Sequence, residues 1–199
     1  YLKIEKVNTN NLFTIDLICH GVPSPSIFEQ YIGRLQKKYK SELIDYSFRN
    51  KKNGEVQGIR ATFKNHLVYE KSTTTDEYYK LFSYDLILRE SCYKCKFTSK
   101  TRVGDITLGD YWGYKGLLQA NDGISLVLCN TNKGKNIFDK ISHDFIVEQT
   151  SFEKCIQQAL VSATKKPLFR NIVIECLKFN NWSVPNFITS IIRVKNHFR

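Results

Sequence analysis

Methionine is absent from this 199-residue chain. A translated polypeptide starts with Met, which is normally trimmed only before a small residue, and Tyr1 is not small. The sequence is therefore read as an internal or C-terminal fragment with further residues upstream. No apolar run approaches the roughly 20 residues that span a bilayer, and no charged-then-apolar signal segment opens the chain. No membrane span and a cytoplasmic location are expected, so the six cysteines are read as thiols or metal ligands rather than disulfides. Internal repeats and low-complexity tracts are also missing, which excludes repeat architectures. Acid is in deficit: 19 Asp and Glu stand against 30 Lys and Arg, for a net charge of +11.

That excess suits polyanionic partners such as nucleic acid, nucleotide cofactors or acidic proteins. The cations are scattered, however: Lys37, Lys38 and Lys40, then Arg49, Lys51 and Lys52, then a cysteine-bearing loop, then Lys165 and Lys166. Scattered lysines form solvated faces, and nucleic acid is not the expected partner. With 42% hydrophobic and 13% aromatic residues the chain is globular, long enough for one good core or two small ones.

The stretch richest in chemistry runs from Arg89 to Gly113. Cys92 and Cys95 stand at C-x-x-C spacing among lysines and arginines, and Asp105-Ile-Thr-Leu-Gly-Asp110 follows as a short strand. Two thiolates at that spacing can turn toward one metal centre, leaving intervening N–H groups free to point at bound sulfur. The spacing alone admits half a zinc site, half an iron–sulfur site or a redox dithiol. Lys94, Lys96, Lys100 and Arg102 favour thiolate and an anionic cluster. Gly109 and Gly113 permit close backbone approach to a flat cofactor. Asp105, Asp110 and Trp112 are placed to flank such a cofactor, or else form a structural turn.

Elsewhere the pattern predicts an α/β (α+β) fold with a central mixed sheet, an antiparallel meander and flanking helices. Leu12 to Cys19 is a continuous apolar run that predicts a buried parallel strand. It ends at Cys19-His20-Gly21-Val22-Pro23, a loop of the kind where α/β folds place ligands. His20 is read as a capping or packing residue. Ser24 is a candidate N-cap and Pro25 suits the first position of a helix to about Lys40, with Ile27, Phe28, Tyr31, Ile32 and Leu35 on its apolar stripe. Leu43–Arg49, Val56–Phe63 and Leu67–Lys71 read as the meander, with Asn50–Gly54 as a turn. Helices are expected over Asp76–Leu88, Asn132–Ile141, Ser151–Ala163, Asn171–Lys178 and Pro185–Val194. Strands are expected at Asp105–Leu108, Ile124–Leu128 and Phe145–Glu148. Cys129, Cys155 and Cys176 are expected to be core residues.

Four segments together carry a resemblance. Asp16-Leu-Ile-Cys-His-Gly-Val-Pro-Ser24, Ser91-Cys-Tyr-Lys-Cys95, Arg102-Val-Gly-Asp-Ile-Thr-Leu-Gly-Asp-Tyr-Trp-Gly113 and Gly123-Ile-Ser-Leu-Val-Leu-Cys-Asn-Thr131 resemble the C-terminal region of the coenzyme F-420 (deazaflavin) hydrogenase/dehydrogenase beta-subunit family. The resemblance runs from about Asp16 to Pro167. It implies that residues 1–166 form the family's C-terminal domain and 167–199 a helical extension. It also implies an iron–sulfur flavoprotein oxidoreductase, with FAD and a 4Fe–4S cluster, passing electrons between a redox partner and a second carrier. In the hydrogenase and dehydrogenase members that carrier is the deazaflavin. Cys19, Cys92 and Cys95 fall on the family's cysteine positions and are the implied cluster ligands. Asp105, Gly109, Asp110, Trp112 and Gly113 are the implied flavin contacts. A cubane cluster wants four thiolates. Members usually carry another cysteine in a Gly-Thr-Pro-Cys-Gln segment and a ferredoxin-type region further upstream. Neither lies within this sequence, so the fragment alone is expected to be inactive. Two other readings stand beside this one. A zinc-stabilised binding module would use Cys19, His20, Cys92 and Cys95, with nucleic acid as partner. A supporting role beside bacterial surface-polysaccharide enzymes is suggested by the family's wider distribution.

Overall fold

A computed structural model describes residues 11–50, 58–118 and 123–197. In chain order the elements are β1 (Ile15–Leu17), α1 (Pro25–Tyr39), β2 (Leu43–Ser47), β3 (Gly58–Phe63), β4 (Val68–Ser72), α2 (Glu77–Ser83), β5 (Ile106–Asp110), β6 (Ser125–Cys129), α3 (Asn132–Ile141), α4 (Gln158–Val161), α5 (Arg170–Lys178) and α6 (Ser183–His197). Short 3-10 turns cover Glu90–Lys94, Ser142–Asp144 and Phe152–Cys155. The fold is mixed α and β, as expected. The chain divides into two compact units. One combines the segment ending at His20 with Cys95–Ala163; the other combines Gly21–Lys94 with the chain from Thr164 on.

The first unit holds a three-stranded mixed sheet in the order β1-β5-β6, with β1 parallel and β6 antiparallel to β5. The three strands expected at the centre thus share one sheet. Leu126, Cys155 and Leu160 form its core, with Ile18, Tyr111, Leu128 and Phe152 packed against them. Two expectations about strands are corrected. Only three residues of the Leu12–Cys19 run form β1, and it is an edge strand, with Ile15 and Leu17 54% and 65% exposed. Period-two alternation turns Asp16 inward in their place. Phe145–Glu148 forms no strand: Phe145 follows a 3-10 turn, and the Glu148 carboxylate accepts hydrogen bonds from Tyr114 Oη and Leu117 N. The helix expected over Ser151–Ala163 is a 3-10 turn and the one-turn α4, separated by extended Ile156 and Gln157. Cys129 ends β6 and is exposed rather than buried.

The second unit contains the meander β2-β3-β4, antiparallel throughout. In β3 strict alternation buries Ile59, Ala61 and Phe63. Helix α1 lays Ile27, Tyr31 and Leu35 into the same core, joined by Val173 and Leu177 of α5, Trp182, and Ile188 of α6. Pro25 opens α1 as expected, but Ser24 makes no side-chain cap and its hydroxyl pairs with that of Ser26, 2.9 Å away. Helix α2 stops at Ser83, well short of Leu88: Asp85 takes a left-handed conformation (φ 60°), and Leu88 then bridges to Pro23. The Asn50–Gly54 turn and the first residues of the Val56 strand lie in whole or part outside the described residues.

One fully buried carboxylate organises this core. Asp76 Oδ1 accepts Tyr79 N–H at 2.7 Å, capping α2, while Oδ2 accepts the hydroxyls of Tyr31 at 2.5 Å and Tyr69 at 2.8 Å. A buried charge is tolerated when donors replace its hydration in this way. Burial and the nearby Asp76 charge push the Tyr31 hydroxyl far above its usual ionisation range, so it stays a donor. Asp76→Ala is expected to lower unfolding free energy by about 3 kcal/mol, roughly 1 kcal/mol for each lost bond. Urea denaturation measures it, and a loss under about 1 kcal/mol would show that the core does not rely on this carboxylate.

Candidate metal and cofactor site

The three candidate ligands fall in different units. Cys19 and Cys95 belong to the first unit, and Cys92 to the second. Cys19 is exposed; Cys92 and Cys95 are half-buried.

In the second unit, the segment that follows Cys19 is held against the approach to Cys92. Ser24 N donates to Ile87 O at 3.0 Å and Arg89 N to Val22 O at 2.9 Å. Val22 N then donates to the Cys92 sulfur at 3.3 Å. Gly21 is required here: its φ is +155°, and a Cβ would fall 2.7 Å from Leu88 Cδ1. The 3-10 turn Glu90–Lys94 presents Cys92, and Arg170 clamps that turn. Its guanidinium donates to Tyr93 Oη at 3.0 Å, Glu90 Oε1 at 2.6 Å and Leu88 O at 2.8 Å, and lies over the Tyr93 ring. Tyr93 in turn donates to Asp85 O. The hydrogen bond from Lys166 and the charge of Arg170 hold the Glu90 carboxyl below its usual range. The sequence pattern did not single out Arg170; a single arginine after Lys165-Lys166-Pro167 carries no local signal.

In the first unit, Asp16 is the organising residue. Arg102 donates to Asp16 Oδ1 through Nε at 3.1 Å and a terminal nitrogen at 2.8 Å, and also to Phe97 O and Leu17 O. Gly104 N donates to the other oxygen at 3.0 Å. The loop carrying Cys95 is thereby fastened to β1. Arg102 is therefore committed to Asp16, its side chain only 7% exposed, rather than lending its charge freely to the cysteines. A signal for Asp16 was present: a carboxylate inside an apolar run needs a buried partner.

The five flavin candidates divide. Asp105 accepts hydrogen bonds from Thr14 N at 2.9 Å, Thr14 Oγ1 at 3.0 Å and Thr131 Oγ1 at 2.8 Å, so its carboxylate ties β1 and the start of α3 to β5. The bonds from Thr14 and Thr131 hold it below the usual carboxylate range. Gly109 faces protein: a Cβ there would stand 2.8 Å from Ile18 Cβ. Asp110, Trp112 and Gly113 are exposed, Trp112 by 68%, and Gly113 has φ 76° with open space where a Cβ would be. Asp110 O accepts from Gln157 Nε2 at 3.1 Å.

Among the described residues no group of three or more His, Cys, Asp or Glu is gathered to hold a metal ion. None of the described helices is long and apolar enough to cross a membrane.

Comparison with protein families matches residues 2–154 to the C terminus of the beta subunit of coenzyme F420 hydrogenase/dehydrogenase. The chain belongs to this family. Membership gives it an oxidoreductase-related role, within a larger multi-domain or multi-subunit redox enzyme. A comparison with curated proteins finds no match.

Stability should report the Asp16 pair. Burial raises the Asp16 carboxyl, but hydrogen bonds from Thr107, Arg102 and Gly104 and the Arg102 charge outweigh it, leaving it below the usual carboxylate range. A carboxylate depressed on folding stabilises above its unfolded value, about 3.9, and that contribution is lost as pH falls through the lower folded value. Thermal midpoints are expected to fall below about pH 4, and Asp16→Asn to flatten part of that fall while lowering the midpoint at neutral pH. Arg102→Ala, which leaves the carboxylate without its cation, should cost roughly 3 kcal/mol at neutral pH. An unchanged acid limb in Asp16→Asn would refute this account.

Proposed function

We propose that the chain is the C-terminal part of an iron–sulfur flavoprotein that passes electrons between a 4Fe–4S cluster, FAD and a second carrier, the deazaflavin coenzyme F-420 or its counterpart. Cys19, Cys92 and Cys95 are the proposed cluster ligands. The observation that carries the reading is the Val22 N–H directed at the Cys92 sulfur, from a segment that begins at Cys19. Backbone donors to a ligating sulfur tune iron–sulfur centres. The donor set fits the group in kind, three thiols with cations nearby, and in number leaves one position for a thiolate from elsewhere in the enzyme. Metal binding can be coupled to folding, and the thiols are proposed to come together on loading.

When bound, such a cluster supplies one-electron transfer. The chain's own residues hold and bias it. Arg170 fixes the turn that presents Cys92, and the Val22 N–H withdraws charge from its sulfur. Lys94, Lys96 and Lys100 favour an anionic centre. The flavin is proposed to meet the end of β5 at Asp110, Trp112 and Gly113, with Asp105 and Gly109 holding the strand behind it. The partner is a redox protein or a ferredoxin-type region of the same enzyme.

Prepared without oxygen, the complete gene product should contain iron, absorb visible light and bleach with dithionite. Cys19→Ala, Cys92→Ala and Cys95→Ala should each lose most of the iron, while Cys155→Ala and Cys176→Ala keep it. Arg170→Gln should reduce iron occupancy several-fold, on the scale of lost outer-shell partners at metal sites. Colourless, iron-free protein from strictly anaerobic preparation would sink the reading, and stoichiometric zinc in its place would assign a structural metal module.

A further inference from the structure

A cavity in the unit formed by Gly21–Lys94 and the chain from Thr164 on shares no residue with the proposed redox site. Its volume is about 530 Å³, within the range of small-molecule sites. Arg34, Lys37 and Lys38 of α1 line it, with Lys71 of β4, Thr75 and Glu77. Four cations thus face one carboxylate, and Glu77 is already paired with Arg34 at 3.2 Å. Among the described residues neither Lys37 nor Lys71 has a carboxylate partner. The dipole of α1 attracts cations to its last turn and accounts for Lys37 and Lys38. It does not account for Lys71, which shares a strand face with buried Tyr69 and lines the same cavity from β4. Tyr31 and Tyr69, which also line the cavity, have both hydroxyls held by Asp76.

We propose that this cavity binds a small phosphoryl compound. Converging cations without counter-charges raise the local concentration of anions. The kind of cation narrows the class. The one guanidinium, Arg34, is engaged by Glu77 and lies 5.1 Å from the Trp182 ring centroid, so it is not free for bidentate, planar recognition of a carboxylate. What remains are lysines, compact point charges on flexible stems, which suit the dense charge of a phosphoryl group.

The test is calorimetric titration of inorganic pyrophosphate into the whole chain at low salt. One saturable site is expected, with Kd below about 1 mM. The double variant Lys37→Gln/Lys71→Gln should weaken it about tenfold or more without moving the thermal midpoint, since both side chains are exposed. Lys140→Gln, exposed on α3, should leave it unchanged. Citrate, a tricarboxylate, should bind at least about tenfold more weakly. Tighter binding of ADP than of pyrophosphate would assign a nucleotide source, and tighter binding of a hexose phosphate a sugar source; either supports the phosphoryl class. Absence of saturable binding, equal affinity in the double variant, or citrate binding as tightly as pyrophosphate would overturn the proposal.

Discussion

The pairing of Asp16 with Arg102 is the constraint on which the first unit depends. A carboxylate on a three-residue edge strand has no reason to be even half-buried unless a cation comes with it. Arg102 comes, and its remaining donors take Phe97 O and Leu17 O. Gly104 supplies a further donor, and its lack of a side chain allows that approach: a Cβ would stand 3.0 Å from Asp16 Oδ2. The same network reaches across the sheet, because Asn130 Nδ2 donates both to Gly104 O and to the buried Thr107 hydroxyl. An exposed stretch of loop thus acquires a fixed conformation without a large apolar core beneath it. The exposed Phe97 and Val103 show how little hydrophobic burial contributes there.

What could be read from the sequence was what periodicity governs. The α1 stripe and the β3 alternation each report one buried face, and both were legible. Helix α2 ends earlier than the pattern predicts because Leu86, Ile87 and Leu88 continue the apolar run but are buried beyond the helix, the first two in a bend and Leu88 in its bridge to Pro23. The stop is a single left-handed residue, Asp85, and nothing local to the sequence marks it. Cys129 was misjudged because an apolar run does not say which of its residues ends the strand. At the candidate site the cysteines were visible by spacing. Of the residues that hold their loops, Arg170 carries no local signal, its partner Glu90 lying 80 residues away, and Asp16 shows only as a carboxylate inside an apolar run, with nothing to name Arg102, 86 residues on, as its partner.

The two units differ in what makes them cohere. The unit around α1 has a continuous aromatic and aliphatic core set about Asp76. The unit around β5 has a small core and relies on side-chain hydrogen bonds to loops. Rigid scaffold and adaptable loop are a common division of labour in proteins whose binding residues sit on connections. The proposed ligands Cys19, Cys92 and Cys95 all lie on such connections.

The interleaving of the units also orders events along the folding path. Strands β1 and β5 are parallel neighbours separated in sequence by the Gly21–Lys94 segment of the other unit. Closing so long a loop is entropically costly, and the cost grows with its logarithm. The Pro23–Leu88 bridge brings the two ends of the inserted segment together. Once it has formed, the effective loop is several-fold shorter, which lowers the closure cost by about 1 kcal/mol. That bridge leads into a core which includes Val173, Leu177, Trp182 and Ile188, all from the last part of the chain. On a ribosome, Ile15 emerges 91 residues before Ile106, the residue it pairs with.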